Sequence, residues 1–249
     1  MARLVLDGVS VTFPIYHASA RSMRRFALKG ALGRRIRMEP RMPSVAALSE
    51  VDLQLQDGDR LAVVGANGSG KTTLLRTAAG IYPPTAGRVR LVGSVTPLLG
   101  LGTGLNLAAT GLENIFLMGM HLDIPPSRLK TVVDEIVDWT QLGPFIGTPL
   151  RTYSAGMIVR LAFAVSTAFP PDILVMDEWL GVADAEFRAK GYERMAGFVN
   201  GARITLLASH HRSLLETWCN RAILLEEGRI IADGALETIL DRALPKDAT

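Results

Sequence analysis

Nine consecutive residues, Gly65-Ala66-Asn67-Gly68-Ser69-Gly70-Lys71-Thr72-Thr73, carry the clearest chemistry in the chain. They follow the apolar run Leu61 to Val64 and lead into helix-like sequence from Leu74 to Ala79. Glycines at 65, 68 and 70 let the backbone turn its N–H groups inward as an anion cradle, and the dipole of the next helix reinforces it. In the G-x-x-x-x-G-K-[ST] spacing, Lys71 would reach terminal phosphates and the Thr72 hydroxyl would hold Mg²⁺. The pattern therefore predicts binding of ATP or GTP.

Further candidates sit where apolar runs end. Ile173-Leu174-Val175-Met176 delivers Asp177-Glu178. Asp177 is the expected second metal-site group, reached through the ion's water shell, which leaves Glu178 to orient and polarise an attacking water. Ile204 to Ala208 delivers Ser209-His210-His211. A histidine there is either a hydrogen-bonded surface residue or part of the crevice on which the carboxyl ends of an open α/β sheet converge. Phe13 and Tyr16 follow the alternating run Arg3 to Phe13 and are candidates for stacking on a base, or simply core aromatics.

The elements that must position these groups are legible as patterns. Val51 to Leu55 alternates as a strand, and Asp57-Gly58-Asp59 predicts a hairpin turn into the strand at 61–64. Gly80 ends the helix after the phosphate loop, and Arg88 to Leu91 is a short strand. From Gly93 to about Pro149 the pattern changes: Val95 to Leu107 is Gly- and Leu-rich, and Arg128 to Trp139 has helical periodicity with Leu129, Val132, Val133, Ile136 and Val137 as its apolar stripe. Ser154 reads as an N-cap. The chain then closes through Ala222 to Leu225, a Glu227-Gly228 turn, Arg229 to Ala232 and a helix at Leu236 to Leu240. The expected fold class is α/β, with a mainly helical subdomain at about 96–164 inserted into a core at about 1–95 and 165–249.

Bulk properties narrow the class further. With 249 residues and 48% apolar content the chain can bury a large core. No apolar run approaches a membrane span, and no signal-peptide core follows Met1, so a soluble cytoplasmic protein is expected. Cys219 is the single cysteine, which excludes an intramolecular disulfide and a cysteine metal cage. The total charge of +3 is uneven: Arg21, Arg24, Arg25, Lys29, Arg34, Arg35, Arg37 and Arg41 against Glu39 put +7 in one segment and leave −4 for the rest. That segment is either a solvated basic helix or a patch facing lipid headgroups or an anionic substrate.

Over essentially its whole length the sequence resembles the ATP-binding cassette (ABC) family. Ser154-Ala155-Gly156 looks like the signature motif, Ile173 to Glu178 like the Walker B strand with its catalytic Glu178, Asp184 like the D-loop acid and His210 like the switch histidine. The resemblance implies a P-loop NTPase with a RecA-like core and a head-to-tail homodimer. Each Mg²⁺-ATP would be clamped between one copy's phosphate loop and the partner's signature helix at Ser154 and Gly156, with Phe13 and Asp184 as further candidate nucleotide contacts. Val9 to Tyr16 with the basic stretch after it, Thr110 to Ile115, Tyr153 to Met157 and Met176 to Leu180 together look like the polysaccharide-exporting branch. Its members act with a separate integral membrane subunit at the cytoplasmic face of the inner membrane, commonly on polyprenyl-diphosphate-linked glycans, and not on nucleic acid.

Three positions depart from the branch: Gly100 or Leu101 stands where a glutamine or carboxylate is usual, Met157 where glutamine is frequent, and Leu112 where arginine is common. With the chain stopping at Thr249, no C-terminal carbohydrate-binding domain is expected. The leading expectation is the ATPase subunit of a lipid-linked polysaccharide exporter. Transport of another solute, or a non-transport ABC ATPase acting on nucleic acid or ribosomes, are the alternatives.

Overall fold

Alternating and continuous apolar runs sort this chain into two sheets and a set of helices. The computed structural model describes residues 1–15, 36–37, 43–100, 104–177 and 185–244, with backbone alone at 36–37 and 185–188. In chain order the first elements are β1 (Arg3–Pro14), β2 (Ile36–Arg37), β3 (Ser44–Gln56), β4 (Arg60–Val64), α1 (Lys71–Ala78), β5 (Ala86–Val92) and β6 (Val95–Leu98). Then come α2 (Gly111–His121), α3 (Pro126–Thr140), α4 (Ala155–Ser166), β7 (Ile173–Asp177) and α5 (Ala185–Gly201). The chain closes with β8 (Ile204–Ala208), α6 (Arg212–Trp218), β9 (Arg221–Glu226), β10 (Arg229–Ala235) and α7 (Leu236–Ala243). Two compact units result, one of residues 1–97, 172–177 and 203–249, the other of residues 98–171 and 178–202.

In the first unit, β4, β7 and β8 are continuous apolar runs buried along nearly their whole length, the pattern of parallel strands covered on both faces. β4 lies between β8 and β9, parallel to both, and β7 is parallel to β8. The strand order is β10-β9-β4-β8-β7-β6. Register aligns Val63 with Ala208 and Ala208 with Asp177, so three carboxyl ends finish in one row.

The second sheet of this unit has the order β2-β3-β1-β5. Val51, Leu53 and Leu55 of β3 are buried while Asp52, Gln54 and Gln56 are exposed, the alternation of a half-buried strand. β3 is longer than its alternation predicts, because pairing with β1 continues to Phe13 opposite Val45 and Pro14 opposite Ser44. An irregularity lets the register change phase: Glu50 is left-handed (φ 51°) and its N–H donates to the Ser10 hydroxyl at 2.9 Å.

The turn at Asp57-Gly58-Asp59 forms, with Asp59 N–H donating to the Gln56 carbonyl at 3.0 Å, but it is not a hairpin. It carries the chain from one sheet to the other, since β4 has β8 and β9 on its two edges and no edge left for β3. Cys219 is buried, and burial pushes its thiol up to about 12, so it is an inert core group.

The second unit packs α2, α3 and α4 around Ile115, Met118, Leu129, Ile136, Leu150, Leu161 and Val165. Thr110 and Glu113 form a reciprocal capping box that starts α2. Buried Asn114 accepts from Asn106 N–H (2.7 Å) and donates to the carbonyls of Asn106, Ala109 and Thr110, fixing the loop before the helix. Arg194 of α5 fastens the helices together. Its guanidinium donates to the Thr167 hydroxyl at 2.7 Å, pairs with Glu135 at 3.6 Å and lies 4.9 Å from the Trp139 ring centroid.

Candidate functional site

β4 delivers the phosphate loop at the carboxyl end of the parallel sheet, and α1 carries it away. Gly70, the N-cap of α1, is left-handed (φ 113°), so the cap has no side chain and no acid follows in the first turn. Leu74 N–H is the first to bond back, to the Gly70 carbonyl at 2.8 Å. The preceding N–H groups form the positive end of the helix, which suits an anion. Gly65 is required for a second reason: a Cβ there would overlap the Leu225 carbonyl of β9.

Charge and hydroxyl groups line this loop. Lys71 is buried, and its ammonium donates to the carbonyls of Gly65 (2.8 Å) and Ala66 (3.2 Å), so it lies across the loop. The Ser69 hydroxyl is buried without a hydrogen-bond partner. An orphaned buried hydroxyl, a glycine-lined loop and a bare helix N-terminus together fit a phosphate group. Asn67 and Gly68 are exposed at the crest of the loop, and Thr73 is half-buried.

Thr72 and Asp177 meet. The Thr72 hydroxyl donates to Asp177 Oδ2 at 2.6 Å, although the two residues lie 105 positions apart. Two adjacent oxygen ligands suit a hard cation such as Mg²⁺. Among the described residues no cluster of three or more His, Cys, Asp or Glu side chains exists. A pair of protein oxygens such as Thr72 and Asp177 fits Mg²⁺, which at nucleotide sites takes one or two protein ligands and completes its shell elsewhere.

The row that ends in Asp177 also ends in Ala208, after which Ser209 is buried and His210 exposed. Ser209 accepts from His211 N–H at 3.0 Å, which shapes the turn presenting His210. Phe13, at the end of β1, is 39% exposed and packs edge-to-face on Tyr82 with centroids 5.4 Å apart. Tyr82 accepts from Arg76 of α1 at 2.6 Å, and the same guanidinium lies 5.4 Å from its ring centroid. Tyr82 is a site neighbour that the motif reading omits. Its signal was an aromatic just beyond Gly80, where the loop helix stops.

In the second unit, Ser154 is the N-cap of α4 and accepts from Met157 N–H at 3.2 Å, with no acid in the first turn. Ser154 is exposed and Gly156 half-buried. A Cβ on Gly156 would meet only the Ser154 hydroxyl, at 3.9 Å. Glu178, Asp184, Tyr16, Leu101 and nearly all of the basic segment 21–41 lie outside the described residues. Gly100 is exposed, with open space where a side chain would be.

Comparison with known proteins adds to this geometry. Residues 48–181 match the family described as ABC transporter. The O-antigen export system ATP-binding protein RfbE of Yersinia enterocolitica is 40% identical over 231 residues, 92% of this chain and 97% of that protein. RfbB of Myxococcus xanthus, named for the same kind of system, is 39% identical over 186 residues, 75% of this chain but only 43% of its own length. Among solved structures, a dimeric post-hydrolysis state of an ATP-binding cassette bound to ADP and Pi superposes with a TM-score of 0.67 over 94% of this chain and 98% of its own, at 18% identity. That likeness is one of fold.

Proposed function

Because the chain belongs to the ABC transporter family, we propose that it is the ATP-hydrolysing subunit of an exporter that drives lipid-linked polysaccharide across the inner membrane. The observation that carries the ATPase reading is the 2.6 Å contact between Thr72 and Asp177 beside the phosphate loop. The cargo is inferred from the O-antigen export relative whose length this chain nearly spans.

ATP is bound by its phosphates in the loop from Gly65 to Thr73, including Asn67, Gly68, Ser69 and Gly70, with Phe13 at the base. Lys71 leaves the carbonyls of Gly65 and Ala66 for the terminal phosphates, exchanging neutral acceptors for charged ones. Thr72 and Asp177 would hold Mg²⁺, which would supply neutralisation of charge on the phosphate oxygens. Glu178 orients the attacking water and accepts its proton as oxygen bonds to the γ-phosphorus and the bond to the β-phosphate oxygen breaks. His210 contacts the γ-phosphate from the adjacent strand end.

The site is completed by a second copy, whose Ser154 and Gly156 bring the bare N-terminus of α4 to the γ-phosphate and whose Asp184 lines the dimer seam. In this reading the nucleotide core is about residues 1–95 and 165–249, and the helical subdomain about residues 96–164. Among the described residues no helix is long and apolar enough to cross a membrane. The translocation path is accordingly assigned to a separate integral membrane subunit, against whose cytoplasmic side the dimer sits.

ATPase assays of the subunit alone, and with its membrane subunit in lipid plus a polyprenyl-diphosphate glycan, test this reading. Stimulation by partner and glycan is expected. Activity indifferent to both but raised by RNA or DNA would overturn the transport assignment.

A further inference from the structure

The turn joining β9 to β10 reaches the phosphate loop from late in the chain. Arg229 pairs with Glu226, so Glu227 and Gly228 alone make the turn, and both are left-handed (φ 48° and 80°). This is the two-residue hairpin geometry in which both central residues take positive φ. In that conformation Gly228 N–H donates to the Ser69 carbonyl at 2.8 Å, and the Gly228 carbonyl accepts from Ser49 N–H of β3 at 2.9 Å. Just before the turn, the Leu225 carbonyl lies against Gly65, leaving no room for a Cβ. Both ends of the glycine-rich stretch from Gly65 to Ser69 therefore rest on one hairpin.

The same hairpin is anchored on its other side. Arg229 pairs with Glu50 at 3.1 Å, and Glu50 N–H donates to the Ser10 hydroxyl at 2.9 Å. Ser10 belongs to β1, the strand that also carries Phe13.

We propose that the Glu227-Gly228 turn is a positioning element for nucleotide binding, holding the phosphate loop at a set distance from the β1–β3 pair that carries Phe13. It acts through Ser69 and Gly65. The inference rests on the nucleotide-binding reading above. Its physical basis is that a run of glycines has much backbone freedom to lose and cannot hold N–H groups in one alignment unaided. The β9–β10 ladder supplies that stiffness from a neighbouring strand pair.

The test uses the full chain and two readouts, the dissociation constant for ATP and the melting temperature without nucleotide. Gly228→Ala places a Cβ on a left-handed residue and shifts the amide that Ser69 depends on. Gly228→Asn is the conservative rescue, since asparagine tolerates that conformation. Gly58→Ala is the control. Gly58 is also left-handed (φ 94°), but its main chain bonds Arg203 and Asn220. Gly228→Ala is expected to weaken ATP roughly tenfold, equivalent to about 1.4 kcal/mol. Gly58→Ala should lower the melting temperature comparably and leave ATP affinity unchanged, and Gly228→Asn should recover most of the loss.

Equal affinity changes in Gly228→Ala and Gly58→Ala, or none in either, would overturn the proposal. Should Gly228→Ala not fold, amide exchange on the wild type decides. Saturating ATP is expected to slow exchange at the Gly228 and Ser49 amides and not at Gly58, and a uniform response at all three would contradict it. A wild type that does not bind ATP at all would instead remove the reading on which the proposal stands.

Discussion

Two helix N-termini in this protein are both preceded by short polar or glycine-rich sequence and both lack an acid in the first turn, yet their glycines have opposite reasons for being there. At α1, the chain's own fold demands them: Gly70 is left-handed and Gly65 has the Leu225 carbonyl against it. At α4, Gly156 sits in a regular helix with room for a Cβ. A glycine inside a helix costs up to about 0.5–1 kcal/mol relative to alanine, and among the described residues no close neighbour requires one at Gly156. The contrast matches the proposed assembly, in which α1 heads the phosphate-binding half within one chain and the N-terminus of α4 serves the nucleotide of the second copy.

The largest effect should come from breaking the self-contained half. Lys71→Ala removes a buried cation whose proposed hydrogen bonds to phosphate oxygens would be worth about 1.5–3 kcal/mol. ATP affinity is expected to fall roughly 10- to 100-fold, with turnover lost. Unchanged turnover in a steady-state assay would remove Lys71 from the site.

Gly156→Ala sharpens the other half. Its melting temperature should rise slightly, and ATP binding to the single subunit should be unaffected. Turnover should fall on the order of a hundredfold, the cost of an ångström-scale misplacement at the reacting group. A variant that is more stable and fully active would show that nothing approaches Gly156.

How much of this was legible beforehand differs between the two regions. The phosphate loop was readable because its spacing is itself the mechanism, and Asp177 because a continuous apolar run ends there. The Asp57-Gly58-Asp59 turn was misread as a hairpin because turn chemistry is local, while pairing depended on both edges of β4 being taken by β8 and β9. The role of Gly228 was hidden for a related reason: the Glu227-Gly228 turn was plain in the sequence, but its contact with Ser69 joins segments about 160 residues apart. Tyr82 was missed because its one local signal, an aromatic just beyond Gly80, does not reveal that it meets Phe13 on a strand about 70 residues earlier.

Smaller effects probe the frame around each half. Arg194→Ala in the helical unit removes a hydrogen bond to Thr167, the Glu135 pair and the stacking on Trp139, and should destabilise by about 2 kcal/mol. Arg194→Lys should recover only part of this, because lysine lacks the planar fork. Thermal unfolding followed in both variants checks the order.

In the sheet unit, Asp172 accepts from Ser94 N–H (2.9 Å) and the Ser94 hydroxyl, and pairs with Arg203 at 3.2 Å. The Ser94 backbone hydrogen bond is the main cause that holds its carboxyl below the usual aspartate value, helped by the Ser94 hydroxyl and the Arg203 charge and opposed by partial burial. A depressed folded value means that the stabilisation is complete above the unfolded aspartate pKa and is lost as pH falls through the folded one. Asp172→Asn should therefore flatten the acid side of the melting-temperature profile below about pH 4. The side chain is 38% exposed, so solvent limits the effect to less than about 1 kcal/mol. A profile identical to wild type would assign the acid sensitivity elsewhere.

The most direct test of the comparison is complementation between copies. Lys71→Ala keeps an intact α4 N-terminus and Gly156→Asp keeps an intact phosphate loop, so each alone should be nearly inactive. Mixed and allowed to exchange subunits, they should form dimers with one complete site, and ATPase activity should rise well above the sum of the two. Activity that stays additive, with mixed dimers verified by differential tagging, would contradict a site assembled from both copies.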